Sequence, residues 1–122
     1  MTSLMDAIIG ADRLPAPDPR FPHAPPGWAP LAAVEAARQE ALEMSNEHWD
    51  ALRALQEYYA RHEATAVNLR ELHDALDEKF HSQGGIRHLY RLFPGGPVAQ
   101  GCRIAGLKAP PGAIDMGFGS VA

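Results

Sequence analysis

A chain of 122 residues has length for one domain with one hydrophobic core. Its 46% hydrophobic and 21% charged residues are ordinary for a globular protein, and 15 acidic against 11 basic residues single out no partner class. The one cysteine excludes an intramolecular disulfide and any multi-cysteine metal centre, and it suits a reducing compartment.

Residues 1–14 hold Asp6, Asp12 and a short apolar patch, Ala7-Ile8-Ile9. They lack the basic start and longer apolar run of a secretory signal, and no stretch is long enough to span a bilayer. The expected location is cytoplasmic. Seven of the eleven prolines fall in residues 15–30. Proline fixes φ and removes a donor, so no continuous helix runs through them. Residues 1–29 are therefore expected to form a proline-rich arm, packed through Phe21 and Trp28, with a short β-hairpin as an option.

A helical body is expected over residues 30–107. Pro30 suits a first helical turn, and Leu31, Val34, Arg38 and Leu42 follow on one predicted face. Ser45 reads as the N-cap of a second helix, with Glu47 in its first turn and Trp49, Leu52, Leu55 or Gln56, and Tyr59 on its stripe. That stripe predicts a buried Trp49 ring. Asn68 and Glu71 mark the start of a third helix carrying Leu69, Leu72, Leu76 and Phe80. Gly84-Gly85 breaks the chain before a short stripe of Ile86, Leu89, Tyr90 and Phe93. Pro97 opens a fifth helix with Val98, Cys102 and Ala105 on one face, closed by Gly106. Residues 108–122 are expected to form a flexible C-terminal arm. The predicted class is mostly α: a small single-domain bundle of about five helices, monomeric in isolation.

Chemistry-bearing patterns are few. None of the six histidines (His23, His48, His62, His73, His81, His88) pairs at i,i+4 or sits in HExxH, so they are expected at surfaces and boundaries, with no metal. Asp74 beside Arg70 is a helix-surface ion pair, and the glycine pairs match no nucleotide loop, so no cofactor is expected. Nothing in these patterns points to an enzyme. Residues 35–78 carry eleven acids and four arginines, whereas residues 79–114 carry five basic residues and no acid. Arg87, Arg91, Arg103 and Lys108 are accordingly expected to form one basic patch for an acidic partner once the last two helices pack. The helix–break–helix run of residues 69–92 leaves a DNA-binding regulator as an alternative. Its basic residues are too few to favour nucleic acid. Cys102 reads as a small core hydrophobe with little help from its helix dipole.

Two runs carry a family resemblance. Ser45-Asn46-Glu47-His48-Trp49-Asp50, followed by Tyr58-Tyr59, resembles the "S-x-E-H-W … F/Y-Y" stretch of the DsrC/TusE family. Residues 90–107, from Tyr90-Arg91-Leu92-Phe93-Pro94 to Cys102-Arg103-Ile104-Ala105-Gly106-Leu107, are similar at nearly every fixed position to its "Y-x-L-F-P-x-G-P-x-x-Q-x-C-K/R-x-A-G-L" signature. The resemblance spans about residues 28–114 and implies a small, helical, non-enzymatic sulfur carrier. It implies a sulfur-relay or sulfite-reductase-type protein partner and a carrier cysteine next to last in a C-terminal arm. Aligned without a gap, that position is Ala113, the final valine is Ile114, and residues 115–122 extend the arm. Cys102 matches the upstream cysteine found in dissimilatory-type members. The implied function is docking within sulfur metabolism, with a persulfide carried on Cys102 as the alternative.

Overall fold

The structure, a computed structural model, describes residues 18–113. Among them five α-helices and two 3₁₀ turns form, and no strand. The helices are α1 (Pro30–Gln39), α2 (Asn46–Arg61), α3 (Leu69–Lys79), α4 (Ile86–Leu92) and α5 (Ala99–Ala105). The 3₁₀ turns are Ala64–Ala66 and His81–Gln83.

Residues 18–29 run in successive turns rather than a hairpin, as their prolines dictate. Phe21 and Trp28 are both buried, with rings edge-to-face at 5.1 Å. The Trp28 indole donates to the Ile104 carbonyl at 2.9 Å, which fixes this segment to the end of α5. The residues before Asp18, including the apolar patch at Ala7-Ile8-Ile9, lie outside the described region.

The longest helix, α2, is the hub, and both α5 and α4 pack on it. The Ser45 side chain caps it, and Leu52, Leu55 and Gln56 are buried as their spacing predicts. Asn68 caps α3 through the Glu71 amide, and Leu72, Leu76 and Phe80 form the buried stripe. Gly85 turns the chain with φ +66° directly beside the Asp77 carboxylate, where a Cβ has no room. That approach lets Asp77 accept from the Ile86 amide at 2.8 Å and hold α4 to α3.

The first helix faces the other way from its predicted stripe. Ala33 and Ala37 are buried, whereas Leu31 is 75% and Val34 40% exposed. Because α1 packs on α5, two methyl side chains allow a close approach that Leu31 and Val34 would obstruct. The helix ends in a Schellman arrangement: Leu42 N–H donates to Ala37 O at 2.8 Å and Ala41 N–H to Arg38 O at 3.0 Å. The left-handed position at its end is taken by Ala41, φ 58°, not by glycine.

Trp49 is likewise only partly buried, its ring edge on Phe21 at 5.6 Å. Truncating it to alanine should therefore remove only about 1–3 kcal/mol of stability. Leu52→Ala, at a position with no exposed surface, should remove about 2–5 kcal/mol. Urea titrations of the two variants check the order, and a larger loss at Trp49 would contradict this packing.

Candidate functional site

Cys102 lies on the inner face of α5, fully buried, the fourth residue of a seven-residue helix. Its thiol faces the Tyr59 hydroxyl of α2 at 3.8 Å. Tyr59 in turn donates to the Lys108 carbonyl at 2.6 Å, so a hydrogen-bond chain runs from the thiol to the C-terminal segment. Burial pushes the Cys102 thiol up to about 11, with the Tyr59 hydrogen bond pulling weakly the other way. Burial also raises Tyr59 well above an ordinary phenol, and the neighbouring thiol adds to this. Both groups are protonated at neutral pH.

The chain leaves α5 through Gly106 at φ +79°, where a Cβ would stand 2.7 Å from the Trp28 ring. Beyond it, Lys108 is pinned by Tyr59, Pro110 is buried, and a turn closes from the Ala113 amide to the Pro110 carbonyl at 3.2 Å. The described part of the expected arm thus lies against the body. Residues 114–122 lie outside the described region. At the end of the described segment, Gly112 and Ala113 meet Leu69 and His73 of α3, Tyr90 of α4, and Gly96, Val98 and Ala99 around a cleft of about 200 Å³. Cys102 does not line it.

A second buried group ties the two motifs together. His48 Nδ1 accepts from the Ser45 amide at 3.0 Å and lies 2.8 Å from its hydroxyl. An amide can only donate, so the ring proton sits on Nε2, which is 2.7 Å from the Leu92 carbonyl. The His48 ring also meets Phe93 edge-on at 5.1 Å. Gln100 does similar work inside the second motif. Its oxygen accepts from the Gly95 amide at 2.8 Å and its nitrogen donates to Glu40 at 2.9 Å. The motif residues His48, Phe93 and Gln100 are therefore scaffold, fixing the loop between α4 and α5 that walls the cleft.

A family model described as "DsrC like protein" matches residues 17–114. The chain belongs to that family. It is similar to sulfurtransferase TusE of Salmonella typhimurium, with 42% identity over 84 residues that cover 68% of this chain and 76% of the relative. It is also similar to TusE of Escherichia coli, with 39% identity over the same shares. An NMR structure of DsrC from Allochromatium vinosum superposes with a TM-score of 0.58 at 41% identity, covering 71% of this chain and 78% of that one. These likenesses set the chain within the DsrC/TusE group of sulfur-relay proteins.

The basic residues of this family member do not all present free charge. Arg87, Arg91 and Lys108 are exposed. Arg103 is engaged by Glu40 through two hydrogen bonds of 2.8 and 2.7 Å. This pairing, with Gln100, depresses the Glu40 carboxyl below the ordinary range. The last two helices also pack chiefly on other elements, α5 on α2 and α1, α4 on α2 and α3.

Of the histidines expected at surfaces and boundaries, His48 and His88 are buried; the other described ones are exposed or partly so. His88 Nε2 lies 3.7 Å from Glu47. Among the described residues no group of three His, Cys, Asp or Glu is placed to hold a metal ion, and no helix is long and apolar enough to cross a membrane. Sequence reasoning missed His73 and Tyr90 as a pair, rings edge-to-face at 6.1 Å beside Ala113. The signal within reach was Tyr90 itself, the first fixed residue of the second motif.

Proposed function

We propose that this protein serves a sulfur relay by docking to a sulfur-pathway protein, without carrying sulfur on its own arm. The observation that supports this reading is the fully buried thiol of Cys102, together with an alanine, Ala113, where the family resemblance implies the carrier cysteine. An alanine methyl cannot become a persulfide. A thiol that is neutral and enclosed is a poor nucleophile. What persists is the family scaffold and the exposed cations Arg87, Arg91 and Lys108, with Arg103 paired to Glu40. On this reading the chain acts as a cytoplasmic monomer with no catalysis of its own.

The test is to incubate the reduced protein with a persulfide donor and follow its intact mass. Wild type should gain no sulfur, and an Ala113→Cys variant should gain one atom. Sulfur on wild-type Cys102 at a comparable rate would overturn the reading in favour of Cys102 as carrier. In parallel, reversing Arg87 and Arg91 to Glu should slow association with the cognate relay protein and flatten its salt dependence. Unchanged association would leave those charges as solvated surface and refute docking through them.

A further inference from the structure

We infer that the cleft at the end of the described segment is a receiving site, binding without a covalent bond the terminal sulfur of a persulfide-type anion presented from outside. The inference rests on the relay reading above for the source of that sulfur, and on the geometry of the cleft for its chemistry.

The cleft holds about 200 Å³, enough for a short sulfur-terminated side chain or a small sulfur anion but not for a nucleotide. One wall is made of Gly96, Gly112 and Ala113, which send at most a methyl group towards the opening. Leu69, Val98 and Ala99 supply apolar surface that suits polarizable, weakly hydrated sulfur and penalises a fully hydrated oxyanion. Two side chains that carry a polar group line it, His73 and Tyr90, with rings edge-to-face at 6.1 Å, and neither side chain makes a hydrogen bond among the described residues. Both can donate to an anionic sulfur.

The segment that supplies Tyr90 and the arm carries only positive formal charge. Residues 79–114 contain no acid, and Arg87 and Arg91 belong to the same short helix as Tyr90. The helix that supplies His73 carries Glu71, Asp74, Asp77 and Glu78, none of which lines the cleft, and Asp77 is turned onto the Ile86 amide. Sulfate or phosphate would need more donors than two to offset its dehydration, so the site should discriminate by the softness of the terminal atom. In a carrier of this family the same position would hold the sulfur on the chain itself. Here Ala113 leaves the arm as the wall of a site that takes the sulfur from elsewhere.

The experiment uses the full chain and three probes: a short peptide ending in a cysteine persulfide, thiosulfate, and sulfate. Binding is read from the His73 and Tyr90 ring resonances. The two sulfur-terminated probes should shift both rings saturably, and sulfate should not. Tighter binding of the peptide assigns a protein-borne source, and equal or tighter binding of thiosulfate a small-molecule one. His73→Phe with Tyr90→Phe keeps both rings and should weaken binding about tenfold or more. Ala113→Leu, at a half-exposed position outside the core, should block the cleft with the helical signal unchanged. Equal affinity for sulfate, or affinity unaltered in both variants, would overturn the inference. The probes need no partner protein, so failure here is separate from failure of docking through Arg87 and Arg91.

Discussion

Alkylation of Cys102 by iodoacetamide at pH 7.5 should be at least about a hundredfold slower than alkylation of the thiol in an Ala113→Cys variant. With the Cys102 thiol pushed to about 11, roughly one molecule in three thousand is ionised at that pH, against roughly one in ten for an ordinary exposed cysteine. Full burial between α5 and Tyr59 slows it further, because the reagent must wait for local opening. The same displacement sets a sign for alkaline stability. The folded state keeps its proton up to about 11, while the unfolded thiol loses its proton some two units lower. Between those values the native state binds more protons, so stability falls as pH rises, by up to about 3 kcal/mol from this group. A Cys102→Ala variant should lose that alkaline limb. Rapid, stoichiometric alkylation of the wild type at pH 7.5 would show instead an accessible thiol and reopen Cys102 as a carrier.

The helices that were legible in the sequence are those whose large apolar residues do the packing. Leu52 and Leu55 on α2, and Leu72, Leu76 and Phe80 on α3, stand at three- and four-residue steps, and all are buried. The Ser45 and Asn68 caps were equally readable, because a cap is a local bond between a side chain and an amide three residues on. On α1 the same logic chose the wrong face. Its contact with α5 is built from Ala33 and Ala37, and alanines carry no weight in a pattern of large residues, so Leu31 and Val34 drew the stripe outward.

Of the cleft residues, Ala113 was singled out in the sequence, through its place in the family resemblance. The cleft itself joins α3, α4 and the arm, and no local spacing announces that His73 and Tyr90 will share it. Arg103 shows the same limit. Its partner Glu40, at the C-terminal end of α1, lies three helices away in sequence.

The buried histidine gives the sharpest test of the scaffold. His48→Ala should cost about 3–5 kcal/mol, a loss of roughly 10–20 °C in Tm for a domain of this size. Three contributions combine. The Leu92 carbonyl loses its donor in a buried setting, at about 1–3 kcal/mol. The Ser45 amide loses the Nδ1 acceptor of the capping box, and Phe93 loses the ring that meets its own edge-on. Ser45→Ala removes only the hydroxyl half of the cap and should cost about 1 kcal/mol. Because Ser45 and His48 share one network, the double variant should cost less than the sum of the two. The consequence for function follows from the Leu92 carbonyl, which is the last turn of α4 before the loop that walls the cleft. His48→Ala should therefore weaken thiosulfate binding at the cleft even at temperatures where the variant remains folded. Thermal unfolding and thiosulfate titration of the same three variants decide it. A loss below about 1 kcal/mol for His48→Ala would mean that the histidine does not brace the two motifs.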